Sequence, residues 1–203
     1  MRIERTNYKG SLKDETFTDN PSYCIINDYL DDGDIEKNGL LNSPLYRRFW
    51  YLVKRTDINT NNLAKISISL NRGYEGIEMS KDWRKGSETI WEVIDLLYSK
   101  GCRSFLLLGE LVYDEIINRD ISHHKMRGSF IEMEKYPGAL FIPTYHPRDV
   151  NIKRYQTGDG QAHLFLALAY DIEKWYSAGF DSFSLPREKF NIHPTIDEVE
   201  EFI

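Results

Sequence analysis

Apolar residues along this chain alternate between two spacings, and the alternation itself predicts the architecture. "SYCII" (22–26) is a short apolar run that reads as a buried strand, and it ends in the turn-rich, acidic "NDYLDDGDIEKNG". In "SPLYRRFWYLVKRT" the apolar positions 45, 49, 52 and 53 follow a Ser43-Pro44 start signal, which predicts an amphipathic helix. "NLAKISISL" (62–70) alternates towards its end and predicts a second strand. "SETIWEVIDLLYSKG" has a capping Ser87, apolar residues at 90, 91, 94, 97 and 98, and Gly101 as its stop, all marks of a helix. "RSFLLLG" (103–109) is an unbroken apolar third strand of the kind found in parallel sheets covered on both faces. "ELVYDEIIN" predicts a short helix, "ALFIPTYHP" (139–147) a fourth strand and "QAHLFLALAYDIEKWYSAG" a long final helix. Strands alternating with helices imply an α/β fold, a three-layer α/β/α sandwich on a mostly parallel four-stranded central sheet.

The polar residues 1–20 read as a lead-in, 21–185 as one α/β domain and 186–203 as a tail or linker. A chain of 203 residues with 41% hydrophobic and 13% aromatic content carries enough apolar surface for one sizeable core, which excludes a disordered protein. No apolar run reaches the roughly 18 residues of a membrane span, and "MRIERTNYKG" has no apolar signal core. Cys24 and Cys102 lie far apart and form no C-x-x-C pair, so neither a zinc nor an iron-sulfur site is expected, and a reduced, cytoplasmic setting is the simplest expectation. No cofactor is expected, and a monomer is. The net charge of -6 argues against non-specific coating of nucleic acid. A local basic face is still available from Arg47, Arg48, Lys54, Arg55, the "HHKMR" run at 123–127, Arg148, Lys153 and Arg154.

Open α/β sheets place their sites beyond the carboxyl ends of the strands. That rule selects Asn27-Asp28 after the first strand and Thr144-Tyr145-His146 after the fourth, while the Asn61-Asn62 pair lies at a strand start and fits less well. Pro143 and Pro147 restrict the residues before them, so His146 is expected on rigid, extended backbone. Asp28 shares an acidic run with Asp31, Asp32 and Asp34, a composition that more often marks a solvated loop than a catalytic one. His123 and His124 are sequence neighbours whose side chains would diverge on a strand, so they read as surface residues.

Taken in order, these segments resemble the uracil-DNA glycosylase superfamily. The likeness is clearest over "LLLGELVYDEIINRDISHHKMRGSFIEMEKYPGALFIPTYHPRDV", which matches that family's strand, helix, Arg-Gly hairpin and strand ending in Thr-Tyr-His-Pro. "TNNLAKI" is similar to its base-reading segment, with Asn62 at the matching offset, Asn61 as the alternative, and Lys65 behind it. "INDYLDDGDIEKNGLL" places Asp28 at the family's water-handling carboxylate and Leu41 at the position of the aromatic that stacks on the base. The Gly-rich start of that motif is missing, Leu41 stands for Phe, and Tyr29 follows Asp28 where small residues or proline are usual; the cysteines of the iron-sulfur branch are absent. "PREKFNIHPTIDEVEEFI" resembles the junction between glycosylase-like domains and the exonuclease part of some phage DNA polymerases.

The resemblance implies a metal-free hydrolase that cuts the N-glycosidic bond of a flipped-out uracil in DNA, a base-excision repair activity in a bacterial or phage setting. Asp28 and His146 would be catalytic, serving the oxocarbenium-like sugar and the anionic base, and Asn62, Tyr29 and Leu41 would bind the base. Arg148, Lys65, Arg127 and Tyr145 would face DNA, with Arg148 gripping a phosphate. Tyr29 and Leu41 leave open a different or hypermodified base. The missing Gly-rich motif and the tail leave open a non-catalytic DNA-binding or docking domain joined to a polymerase or exonuclease module.

Overall fold

The computed structural model describes residues 21–29, 34, 40–69, 90–117, 120–150 and 162–178. The expected lead-in 1–20, the Ser87 cap and the tail 186–203 lie outside the described residues, as do Lys153 and Arg154. Among the described residues five strands, β1 (Tyr23–Tyr29), β2 (Leu63–Ser69), β3 (Ser104–Leu108), β4 (Ile131–Glu132) and β5 (Leu140–Thr144), form one sheet in the order β2-β1-β3-β5-β4. The β1–β2, β1–β3 and β3–β5 pairs are parallel, with Tyr23 level with Leu63 and Ser104, and Ser104 level with Leu140. β4 is a two-residue antiparallel edge strand, a fifth strand where four were expected. Its brevity explains why no periodicity announced it.

Alternation along each strand sends side chains to two cores. Tyr23, Ile25, Leu106 and Ile142 face one side, against α1 (Arg47–Val53) and α5 (Ala162–Ala178), which contribute Phe49, Leu52, Leu168, Ile172 and Trp175. Cys24, Ile26, Ala64, Ile66, Phe105, Leu107 and Phe141 face the other. There they meet α2, described over residues 90–99, with Ile90, Val93, Ile94 and Leu97, and α3 (Glu110–Ile116), with Val112 and Ile116. The architecture is therefore α/β/α. All five residues of β3 are buried; Phe105, Leu106, Leu107 and Leu108 are apolar, and Ser104 opens the strand with its hydroxyl donating to the Trp175 carbonyl at 2.9 Å.

Three local details differ from the sequence expectation. β1 runs on through Asn27 and Asp28 to Tyr29 rather than stopping at Ile26, because Ile26, Asn27 and Tyr29 pair in register with Ile66, Ser67 and Ser69. His123 and His124 sit on a helical turn, α4 (His123–Met126), and His123 is buried while His124 is exposed. β5 ends at Thr144, and Pro147 opens a helical turn at 147–150 whose first bond runs from the Asp149 N–H to the His146 carbonyl (2.9 Å). Proline is well suited to that first helical position, where no N–H partner is needed.

The chain passes from β1 to its neighbour on one side, β2, and then to its neighbour on the other, β3. The carboxyl ends of β1 and β3 therefore flank a topological switch point, the place where such sheets open a crevice.

A buried His-Asn-Asp-Arg cluster at the carboxyl edge of the sheet

His146 is the N-cap of the 147–150 turn, and its ring does what cap side chains do. Nδ1 accepts the Arg148 backbone N–H at 3.1 Å. A nitrogen that accepts cannot also carry the proton, so this hydrogen-bond network assigns the ring proton to Nε2. Nε2 lies 2.9 Å from Asn27 Oδ1 and 3.2 Å from Asp28 Oδ1, so the proton points at two acceptors from the end of β1. Asp28 Oδ2 in turn accepts from the Arg148 guanidinium at 3.1 Å. Asn27, Asp28 and His146 are 0%, 3% and 1% exposed, so this is a desolvated cluster rather than a surface ion pair.

Neighbouring elements fix each member. Asn27 Nδ2 donates to the Tyr46 hydroxyl at 3.4 Å, and the Tyr46 ring stands edge-on to the imidazole at 5.9 Å. Tyr46 ends a 3-10 turn (Pro44–Tyr46) whose N-cap, Ser43, accepts the Leu45 N–H and donates its own N–H to Asp34 Oδ1. Gly109, directly after β3, has φ +92° and packs on the ring; a Cβ there would stand 3.1 Å from His146 Cβ. Two donors hold the Thr144 carbonyl, Gly109 N–H at 2.9 Å and His123 Nε2 at 3.1 Å. Its hydroxyl donates to Asp171 Oδ2 on α5 at 2.7 Å. Burial holds His123 below the ordinary histidine range, with the bond to Thr144 acting against that shift.

The other residues selected from the sequence lie elsewhere. Asn62 is exposed and its carbonyl accepts the Ser22 N–H, which puts it at the amino edge of the sheet. Six residue steps along β1 separate that level from Asp28, about 20 Å at the usual rise, so the structure does not bring Asn62 to His146. Asn61 shares that turn, and its side chain lies outside the described residues, as does that of Tyr29. Leu41 is fully buried in the α1/α5 core at φ +61°, and its carbonyl accepts from Trp50 Nε1 at 2.7 Å. Lys65 donates to the Leu40 carbonyl and lies over the Trp50 ring, so it fastens that same loop. Arg127 Nη1 donates to both carboxylate oxygens of Asp171 at 2.7 Å, and the guanidinium lies 5.2 Å from the centre of the Tyr145 ring. Tyr145 also packs against His123 and His124. Arg127 and Tyr145 therefore brace β5 against α4 and α5. Arg47, Arg48, Lys54 and Arg55 are exposed along and just after α1.

Sequence reasoning selected Asn27 with Asp28 but gave it no role of its own, and it passed over Tyr46. The only signal for Asn27 was its place beside Asp28 at a strand end, and nothing in the spacing of Tyr46 distinguished it from a core aromatic. No family model matches the chain, and no curated protein does either.

Proposed function

We propose that this protein is a DNA glycosylase that hydrolyses the N-glycosidic bond of uracil in DNA, with Asp28 and His146 as its catalytic pair. The observation that carries this reading is the buried imidazole itself, which accepts a backbone N–H at Nδ1 and holds Nε2 within 3.2 Å of a buried carboxylate, the geometry of a neutral donor. Departure of a base leaves an anion on the base and an oxocarbenium-like sugar. The reaction needs a fixed donor for the first and a carboxylate near the second. A neutral donor whose other nitrogen is locked needs no reorganisation when charge develops, and it is worth most in a site from which water is excluded. Asp28 would serve the sugar and orient the attacking water. The nucleotide has to leave the stack to reach them, at a cost of a few kcal/mol that is least in single strands.

Asn27 replaces Asn62 as the amide in this proposal. It already touches the His146 proton, so a base oxygen taking that proton would arrive beside an amide offering both a donor and an acceptor. The test is to incubate the protein with single-stranded oligonucleotides, each carrying one uracil or one modified base, and to assay free base together with alkali-labile breaks. Release from the uracil strand is the expected result. Release from a modified-base strand alone would replace uracil with that base, and no release from any would end the glycosylase reading. One observation favours the second reading, a DNA-binding domain without excision: in this structure Asp28, His146 and Arg148 are bonded to one another.

A further inference from the structure

The same Arg148 is tied to the cluster twice. Its main-chain N–H caps His146 Nδ1, and its guanidinium holds Asp28 Oδ2 at 3.1 Å, in a side chain that is 18% exposed. The side chain is thus partly open to solvent while its guanidinium sits on the carboxylate that a hydrolytic reaction would use. A guanidinium pairs with a phosphate as readily as with a carboxylate, since both present two oxygens to its fork of N–H groups. It cannot give the same N–H groups to both at once. The Asp28–Arg148 pair is also poorly placed to be merely a stability device, because partly buried pairs return little net free energy after desolvation.

We infer that Arg148 is a latch on Asp28 that a strand phosphodiester releases: the guanidinium neutralises and occupies the carboxylate in the empty protein and turns to the backbone phosphate when a single DNA strand binds. This rests on the glycosylase reading only in taking a DNA strand as the ligand. The consequence is a negative coupling between the Asp28 charge and strand binding that runs through Arg148 alone. In the absence of DNA the carboxylate is held by protein. On the strand it is freed to hold water, so activation of the site is linked to occupancy by substrate backbone.

A double-mutant cycle on the full chain tests this, with a fluorescein-labelled oligothymidylate as the probe and anisotropy as the readout. Thymine is not the proposed target, so no turnover intrudes. Asp28→Asn keeps the shape and an acceptor for His146 Nε2 while removing the charge that competes for the guanidinium. It should bind the strand more tightly, by about five- to tenfold, the size of a modest coupling between sites. In an Arg148→Ala background the same Asp28→Asn change should give no gain. A gain of equal size in both backgrounds, the signature of simple removal of a negative charge, would overturn the latch, and so would no gain in either. Should Asp28→Asn fail to fold, Asp28→Ser carries the same cycle. Coupling seen with inorganic phosphate and not with the oligonucleotide would also overturn it. A positive cycle in a protein that excises no base would leave the latch standing and remove the glycosylase reading. A flat cycle in a protein that releases uracil would do the reverse.

Discussion

At the residue scale the decisive feature is which nitrogen of His146 carries the proton. Because the Arg148 N–H fixes Nδ1 as an acceptor, His146→Gln retains a donor yet loses the geometry, and His146→Ala loses both. Asn27→Leu would remove an acceptor and leave the Nε2 proton with Asp28 alone, at a cost of about 1–3 kcal/mol in stability for the disrupted buried network. Thermal melts compared with Asn27→Asp check it, since the carboxylate still accepts from Nε2. Asn62 separates the sequence expectation from the structure. Asn62→Ala should leave the rate of base release within about twofold of wild type, as surface changes far from a site usually do, and a rate assay decides the point. The sequence brought out Asp28 and His146 because strand ends and flanking prolines are local signals. It placed Asn62 at a strand start, where the rule fits less well, and the register, Tyr23 level with Leu63, puts it at the amino edge; the base-reading role came from the resemblance alone.

At the element scale, the end of β5 is clamped from three directions, by Gly109, by His123 of α4 and by Asp171 of α5. The clamp depends on Gly128, at φ +70°, where an added Cβ would stand 2.5 Å from Asp171 Oδ1. Gly128→Ala should therefore push Asp171 off Arg127 and Thr144 and destabilise the fold by about 2–3 kcal/mol, the range for strained backbone and a broken buried pair together. A drop in urea midpoint with an unchanged slope would report it. His123 gives the clamp a pH dependence. It is packed against Tyr113, Tyr145 and His124, with Glu110 and Asp114 also acting on it, and burial favours its neutral form. As pH falls below about 6.5, the unfolded chain gains a proton there that the folded chain resists, so stability is lost on acidification and is retained above that value. In His123→Gln the loss between neutral and mildly acidic pH should be smaller; equal losses in the two proteins would contradict the assignment. This clamp was not legible in the sequence, since Arg127 and Asp171 are distant along the chain and meet only through the crossing of α5 over the sheet.

At the scale of the whole molecule, the two spacings of apolar residues were enough to predict an α/β sandwich. The apolar run at 105–108 marks β3 as a strand covered on both faces, and the periodicity of α1, α2 and α5 marks one buried face on each. What periodicity could not supply was the edge strand β4, too short to show alternation, and the strand order that makes the switch point between β1 and β3. The core has a chemical readout of its own. Burial pushes the Cys24 thiol well up and the Cys102 thiol up to about 12, so neither should react with an alkylating reagent at mildly alkaline pH until the protein unfolds. Labelling of the native protein, followed by mass spectrometry, checks this. The central claim, that a neutral His146 and Asp28 act together on a glycosidic bond, is tested most directly by one rate measurement. Base release from a single-stranded uracil oligonucleotide is compared for wild type, His146→Ala and Asp28→Ala. The account predicts release by the wild type and a fall of about a hundredfold or more in each variant, the usual cost of one such group. Release that persists in both variants, or that the wild type does not show, would contradict it.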